Sequence, residues 1–296
     1  MKRSVVIETW NLDDLEPLRG LLAALAPQLG DSELVITHAG LASVFRRELA
    51  ELAGTAATWI ELDPAAGYYD HKNAGFAAST GDVIAFIDGD CDPSPGWLAA
   101  LTAPIVAGTV RVVAGHTTYG GELAAIASQL DFPYFVHDRA RGTVRNFFAN
   151  NVAFARDVFA AHRYPVIGCM FHGQCQVLGL ELLAADIAIH HARDARVIHA
   201  WPAGPRAWLE SRLLRGADTA TLLPYVVAHY APRAPRFAAG RLPALAILAA
   251  RAVTGTAHAL RRGPRLRALA LVAGVTVADA IGCAAGPAVY RALGVA

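Results

Sequence analysis

The chain has 296 residues, of which 54% are hydrophobic and only 17% are charged, whereas an ordinary soluble domain carries about 25% charged residues. Its formal net charge of +1 gives no overall attraction to nucleic acid, so no nucleic-acid partner is expected. The four cysteines form no CxxC pair and have no zinc-type spacing with histidine. We therefore expect them to be reduced and mostly buried.

The first 120 residues alternate between short β-branched runs and runs with helical spacing. Strands are predicted at residues 4–9, 33–37, 58–62 and 82–87, and helices at 12–29, 41–53 and 73–79. The fourth strand is almost entirely apolar, which is typical of a central strand buried on both faces. Strands that alternate with helices indicate βαβ units and a parallel sheet.

The rest of the chain is less regular until its composition changes near residue 238. Before that point, strands are predicted at residues 110–114 and 195–199, and a helix at 174–184. Two long apolar stretches follow at residues 242–260 and 266–290, separated by an arginine-rich segment. We therefore predict a catalytic α/β domain over residues 1–237 and a hydrophobic helical tail over residues 238–296.

Three aspartates, Asp88, Asp90 and Asp92, follow the fourth predicted strand in the sequence IDGDCDPSPGW. Side chains at positions i and i+2 of an extended segment point the same way, so Asp88 and Asp90 face a common ligand. Their mutual repulsion is relieved when Mg²⁺ or Mn²⁺ lies between them and binds phosphate oxygens. The alternative is an acidic turn, because Asp-Gly and Pro-Gly are common turn dipeptides.

The motifs around these aspartates resemble family 2 of the glycosyltransferases, an inverting family with the GT-A fold. SVVIETWN resembles the family's first strand, and DHKNAGFAASTGDVIAFIDGDCDPSPGWL resembles its Asn-x-Gly helix, apolar strand and DxD segment in order and spacing. NFFANNVAFARDVF resembles the acceptor-side segment, and ARVIHAW resembles a late strand that ends in histidine. The resemblance covers about residues 4–201. It implies a GT-A-type, mostly parallel twisted sheet flanked by helices.

The resemblance also implies a site. Asp88 is expected at the ribose or the metal, Asp90 at the metal, and His199 at the metal or the diphosphate. Asn150 and Asn151 are candidates for contacts to donor sugar or acceptor, with loop anchoring as the alternative. The nucleotide-sugar-binding candidates are Glu8, Thr9, Asp63, Lys72, Asn73, Asp88, Asn150 and Asn151.

The sequence departs from the family pattern at two places. The second strand usually ends in Asp-Asp-Gly-Ser but here ends in Thr-His-Ala-Gly, so Asp63 after the third strand becomes the alternative carboxylate. The helix predicted at residues 174–184 lacks the usual Glu-Asp pair that supplies the catalytic base. His172 is the nearest group able to act as a base near pH 7. Hydrogen bonding to acceptor or backbone is the alternative role for His172.

These residues predict a metal-assisted, inverting transfer of sugar from a nucleoside diphosphate sugar, with a UDP-sugar favoured, to an acceptor glycan or lipid. The alternative is a degenerate GT-A domain that binds nucleotide sugar or glycan without turnover, which the missing Glu-Asp pair supports. A nucleotidyltransferase would need a glycine-rich and basic loop after the first strand. Residues 10–16 (WNLDDLE) contain neither feature.

The tail is apolar enough to meet a membrane. Residues 266–290 could span a bilayer of about 30 Å, and no signal peptide is expected at the N-terminus. A spanning hairpin would place the arginines between the two stretches on the far side, against the positive-inside tendency. We therefore expect the tail to lie in the cytoplasmic leaflet, with the basic loop on anionic headgroups. The alternative is a helical hairpin packed on the sheet domain or at a homo-oligomer interface.

Overall fold

The structure is a computed structural model that describes residues 1–10, 15–54, 56–261 and 264–294. It divides into two compact units. The first, called here the sheet unit, comprises Met1–Thr117, Tyr134–Val166 and Glu181–Ala200. The second, called the helical unit, comprises Thr118–Pro133, Ile167–Leu180 and Trp201–Ala296.

Ten strands within the described residues form one mixed sheet. Their bounds are β1 Arg3–Glu8, β2 Glu33–His38, β3 Ala57–Glu61, β4 Val83–Asp88, β5 Cys91–Pro93, β6 Val112–Tyr119, β7 Val136–Asp138, β8 Thr143–Val144, β9 Asn151–Ala155 and β10 Ile189–His199. The order is β3-β2-β1-β4-β9-β6-β10-β8-β7, and β5 pairs with β10. Strands β3, β2, β1 and β4 are parallel, as predicted. The pairings of β9 with β4 and β6, and of β10 with β5 and β8, are antiparallel, so the sheet is mixed.

Both units contain helices. Those of the sheet unit are α1 Glu16–Leu29, α2 Ser43–Ala53, α3 Tyr68–Ala78, α4 Trp97–Val106 and α6 Arg156–Ala161. Those of the helical unit are α5 Ala124–Asp131, α8 Gly204–Tyr230, a short 3-10 helix Arg236–Ala239, α9 Arg241–Arg261, α10 Arg265–Ala285 and α11 Ala288–Ala292. The first residues of α7 Gln174–Ala184 belong to the helical unit and its last residues to the sheet unit. The predicted start of α1 at residue 12 lies outside the described residues.

Helix α3 begins five residues before the predicted position 73. Its N-cap is Gly67, whose backbone N–H donates to the Asp70 side chain at 3.0 Å and so stabilises the first turn. Gly75 lets α3 lie directly on β1, because a Cβ at that position would be 2.3 Å from Val6 Cγ1. This close approach carries Lys72, one turn earlier, to the carboxyl ends of the central strands.

The helical unit is held by close contact between α8 and α10. A Cβ at Gly216 would lie 2.1 Å from the Asp279 carbonyl oxygen, and one at Gly282 would lie 2.0 Å from that of Leu213. The predicted apolar C-terminal helices are present, and α10 packs directly on α8, which belongs to the same compact unit. The stretch predicted as one segment at residues 266–290 is also interrupted at Gly286, whose φ of 58° favours glycine.

A buried ion network links four helices of this unit. Arg212 on α8 donates to Asp131 on α5 at 2.6 and 2.7 Å, and to Asp279 on α10 at 2.8 and 2.9 Å. Arg251 on α9 lies 3.2 Å from the Asp279 carboxylate. Burial alone would raise the pKa of Asp131, but the guanidinium groups of Arg212, Arg215 and Arg251 together hold it well below its usual range. Removing one partner of such a network typically costs about 3–5 kcal/mol.

Candidate functional site

Three carboxylates meet where the central parallel strands end. Glu8 and Asp88 are register partners at the last positions of β1 and β4, and both are buried. Asp90 follows after a tight turn in which the Gly89 backbone N–H donates to the Glu8 carbonyl at 2.9 Å. The carboxyl edge of a parallel sheet is the usual place for a ligand in α/β folds. The structure thus brings together the acidic residues that the sequence predicted.

Lys72 and Tyr68, both on α3, hold the Asp88 carboxylate from the side. Lys72 Nζ donates to Asp88 Oδ1 at 2.6 Å, and the Lys72 side chain is fully buried. The Tyr68 hydroxyl lies 2.9 Å from both Asp88 oxygens. Tyr68 was not among the predicted site residues, although its position four residues before Lys72 places both on one helical face. Asp88 is therefore oriented by two buried donors.

His199 reaches the same carboxylates from the other side of the cluster. Strands β5 and β10 pair so that His199 is the register partner of Cys91. The His199 Nδ1 atom lies 3.6 Å from Asp90 Oδ2, and its Nε2 atom lies 4.0 Å from Asp88 Oδ2. One ligand atom each from Asp90, Cys91 and His199 lies within 4.8 Å of the others. The Asp90 oxygen and the His199 nitrogen of this group are donors suited to a divalent cation.

The electrostatics of the cluster also fit a cation. Burial, and then repulsion from Asp88, raises the pKa of Glu8 well above its usual range. Burial likewise raises the pKa of Asp90, although His199 opposes the shift. These raised pKa values show that the cluster disfavours negative charge even with the Lys72 ammonium group beside Asp88. Mg²⁺ or Mn²⁺, which prefer oxygen ligands, would favour the ionised carboxylates when held by Asp88 and Asp90, with the His199 imidazole beside them.

Cys91 lies beside the candidate metal ligands Asp90 and His199, where the sequence predicted only a small buried hydrophobe. Burial raises the pKa of the Cys91 thiol well above its usual value, and the charges of Asp90 and Asp88 add to the shift. A protonated thiol is a poor ligand for a hard cation. Cys91 is therefore not assigned as a metal ligand, although it lies beside Asp90 and His199.

The other candidates for nucleotide-sugar binding, Thr9, Asn73 and Asp63, differ in their hydrogen-bond partners. The Thr9 hydroxyl donates to the Thr37 carbonyl at 2.9 Å, next to β2. The Asn73 amide nitrogen donates to the Tyr164 carbonyl at 3.0 Å, while its buried Oδ1 has no partner among the described residues. Asp63 is exposed and accepts a hydrogen bond from the Ala65 backbone N–H at 2.8 Å. Asn73 therefore keeps an open acceptor, whereas Asp63 stabilises a turn after β3.

The two candidate asparagines differ from each other. Asn151 is fully buried, its Oδ1 accepts from Trp97 Nε1 at 2.9 Å, and its Nδ2 donates to the Ala195 carbonyl at 3.0 Å. Both ends of this amide have partners in the core, which favours the anchoring role for Asn151. Asn150 is also buried and accepts from the Thr117 hydroxyl at 3.0 Å, which leaves its amide N–H groups as candidate donors.

His172, the candidate base, belongs to the helical unit and lies two residues before α7. It is half-buried, its ring stacks on Phe171 with centroids 3.8 Å apart, and its backbone N–H donates to Asp218 at 2.7 Å. Its role in catalysis remains a prediction. Asp131, another carboxylate of the same unit, is paired with Arg212 inside the ion network.

Comparison with known proteins identifies the family. The family model described as Glycosyl transferase family 2 matches residues 4–168, more than half of the chain. The chain belongs to this family. Two curated relatives come from Haloferax volcanii: glycosyltransferase AglE, 33% identical over 76 residues, and a glucosyl-dolichyl phosphate glucuronosyltransferase, 27% identical over 176 residues. These matches cover 25% and 54% of this chain, and the chain spans the same fractions of the two relatives.

Solved structures of the family's fold extend the likeness over the rest of the chain. The mannosyltransferase PcManGT from Pyrobaculum calidifontis matches with a TM-score of 0.66 and 17% identity, covering 98% of this chain and 87% of that one. Glucosyl-3-phosphoglycerate synthase from Mycobacterium tuberculosis matches with a TM-score of 0.52 and 17% identity, covering 77% and 78%. These likenesses confirm the predicted GT-A-type α/β fold.

Proposed function

We propose that the chain is a glycosyltransferase that moves a sugar from a nucleoside diphosphate sugar to an acceptor hydroxyl, with inversion at the anomeric carbon. The observation that carries the proposal is the Asp88 carboxylate, oriented by buried Lys72 and Tyr68 and flanked by Asp90 and His199 at the strand ends. Family membership adds the reaction class.

A divalent cation, when bound by Asp88 and Asp90, would neutralise the negative charge that develops on the departing diphosphate. The PcManGT structure contains GDP-Man and Mn²⁺, and the glucosyl-3-phosphoglycerate synthase structure contains Mn²⁺ and UDP. These complexes support a cation of this kind at the carboxylate cluster. Lys72 and Tyr68 keep the Asp88 oxygens in place, so the cluster is organised before the donor arrives.

The acceptor side needs a base. In the transfer, the acceptor oxygen forms a bond to the anomeric carbon while the bond from that carbon to the diphosphate breaks. The hydroxyl proton leaves the acceptor oxygen during this attack. We assign the acceptance of that proton to an imidazole nitrogen of His172, because the helix that follows it carries no Glu-Asp pair.

A lipid-linked acceptor is favoured, with a UDP-sugar as the first donor to test. One relative is named for action on a glucosyl-dolichyl phosphate, which supports a lipid-linked acceptor. The complexes with GDP-Man and with UDP make a guanosine diphosphate sugar the second donor.

The outward faces of α9 and α10 support contact with a membrane. Each helix has 21 residues, about 31 Å long, and each is long and apolar enough to cross a membrane by length and composition. A row of exposed apolar residues at helical spacing runs along each helix: Leu242, Ala246, Ala250, Val253, Ala257 and Leu260 on α9, and Leu266, Ala270, Ala273, Val277 and Ile281 on α10. A water-facing stripe would instead be polar. The lipid-facing stripes, as we call these two rows, are suited to hydrocarbon.

The positions of the charged residues in α9 and α10 favour a location of these helices at the cytoplasmic leaflet. Within the described part of α9 and α10, Arg251 and Asp279 pair with each other, whereas the remaining arginines lie near the helix ends. Guanidinium groups at the ends of apolar helices can bind anionic headgroups. Flotation with vesicles of anionic or neutral lipid tests this: recovery with anionic vesicles alone is expected. A soluble dimer that binds neither would assign the lipid-facing stripes to a homo-oligomer interface.

The function is tested by a donor panel. Purified protein with Mn²⁺ is incubated with UDP-, GDP- and TDP-sugars, and release of the nucleoside diphosphate is measured with and without a polyprenyl phosphate acceptor. Mn²⁺-dependent release from one donor, increased by acceptor, is expected, and Asp90→Asn should remove it. Tight nucleotide binding without release from any donor would instead favour the degenerate, non-catalytic domain.

A further inference from the structure

The Asp218 carboxylate on α8 binds the segment that carries His172. Asp218 Oδ1 accepts from the Phe171 backbone N–H at 2.6 Å, and Oδ2 accepts from the His172 backbone N–H at 2.7 Å. Asp218 is 7% exposed, so both amides are held in a mostly dry environment. Because the consecutive N–H groups of Phe171 and His172 bind one carboxylate, the backbone that carries the His172 side chain is held in one orientation.

A third donor fixes the carboxylate itself. The Tyr290 hydroxyl on α11 donates to Asp218 Oδ1 at 2.7 Å, and the Tyr290 ring is fully buried. Leu214 and Ala217 on α8 pack against Tyr290 in one hydrophobic cluster. Asp218 therefore cannot turn away from the His172 segment without breaking a buried hydrogen bond to the end of the chain.

The ionisation of Asp218 matters for this arrangement. Burial raises its pKa to about 6, although the N–H groups of His172 and Phe171, the Tyr290 hydroxyl and the Arg215 guanidinium favour the charged form. At pH 8 the group is ionised, and both oxygens accept hydrogen bonds. Packing of α8 alone does not require an aspartate that accepts three hydrogen bonds. An apolar residue at this position would avoid the cost of removing a carboxylate from water.

We propose that Asp218, fixed by Tyr290, is a positioning residue that holds the His172 imidazole in the orientation required for proton acceptance. The inference rests on the proposed role of His172. Tyr290 lies in the chain segment that follows the lipid-facing stripes, so its hydrogen bond to Asp218 connects that segment to the one that carries the candidate base. Asp218 acts through His172 and has no direct part in the chemistry.

Asp218→Asn at pH 8 is the main test. An asparagine side chain keeps one acceptor oxygen but turns an N–H group toward the second amide, so the His172 segment loses one hydrogen bond. We expect turnover to fall about 10- to 100-fold, the scale of a displaced catalytic group, with an unchanged KM for the donor. Tyr290→Phe, which leaves both amides bound, should lower turnover about three- to tenfold.

The matched control is Tyr119→Phe, because the Tyr119 hydroxyl also donates to a buried aspartate of the helical unit, Asp131, at 3.0 Å. It should leave turnover within about twofold. Amide hydrogen exchange at Phe171 and His172 should become faster in Asp218→Asn and Tyr290→Phe but not in the control. Equal losses of turnover in Tyr290→Phe and Tyr119→Phe would overturn the proposal.

A double-mutant cycle separates positioning from general stability. In the His172→Ala background, Asp218→Asn should cause no further loss of turnover, because the residue through which it acts is gone. Additive losses would overturn the proposal and leave His172 as the base. Normal turnover of His172→Ala itself would instead refute the assigned base, and the positioning role with it. Should Asp218→Asn fail to fold, Tyr290→Phe in the same cycle decides the question.

Discussion

Replacing Lys72 with methionine tests whether its ammonium group is the internal counter-charge of the carboxylate cluster. The Lys72 side chain is fully buried, with Nζ 2.6 Å from Asp88, and the cluster also contains Glu8 and Asp90. Methionine keeps much of the apolar stem but removes the charge and the donor. Removing one partner of a buried ion pair costs about 3–5 kcal/mol, so the free energy of unfolding of the metal-free protein should fall by that amount.

The assay is urea unfolding at neutral pH in EDTA, followed by tryptophan fluorescence, with Lys2→Met as the matched control. Lys2 Nζ lies 3.8 Å from Glu33, and the Lys2 side chain is 50% exposed, so its loss should cost less than about 1 kcal/mol. Mn²⁺ should stabilise Lys72→Met more than it stabilises the wild type, because the carboxylate cluster of the variant lacks the Lys72 ammonium group. A loss no larger than that of Lys2→Met would refute the argument.

Further predictions address the metal, the base, the helix contact and the membrane. Asp90→Asn should abolish Mn²⁺-dependent UDP binding in calorimetric titration while circular dichroism stays unchanged; unaltered affinity would contradict the metal assignment. His172→Ala should lower turnover by about 10²–10⁴-fold at constant donor KM, and the wild-type rate should rise with pH where imidazole loses its proton. Gly282→Ala should destabilise the protein by about 1–3 kcal/mol in thermal unfolding, because its methyl group would lie 2.0 Å from a backbone carbonyl oxygen of α8. Gly274→Ala on the same helix is the control, because its methyl group would lie 3.5 Å from the nearest side chain. Val277→Glu should reduce flotation with anionic vesicles; full recovery would count against the lipid-facing stripes.

Local patterns predicted the central strands well and pointed to carboxylates that the structure places close together. Strands β1, β2, β3 and β4 lie within a residue of their expected bounds, because an alternating or continuous apolar run is a property of the segment itself. Glu8 and Asp88 lie together because β1 and β4 are adjacent parallel strands, and Asp90 follows two residues after Asp88. Helix α3, which packs on β1, brings Lys72 to Asp88.

Contacts between residues far apart in the chain could not be predicted from local patterns. Asn151 has its amide taken by Trp97, 54 residues earlier, and no local pattern reveals that contact. The domain boundary at residue 237 followed a change in composition, whereas the helical unit is defined by pairs such as Arg212 and Asp279, which are 67 residues apart. The orientation of His172 likewise depends on Asp218, which sequence analysis did not single out.

The ion network around Arg212 also constrains how the chain can be divided. One of its carboxylates, Asp131, comes from α5, which precedes the last two segments of the sheet unit in the chain. A fragment that starts at Trp201 would contain Arg212 and Asp279 but lack this carboxylate. Such a fragment should gain helical structure when a synthetic peptide of residues 118–133 is added, so that the two pieces complement each other as a split protein.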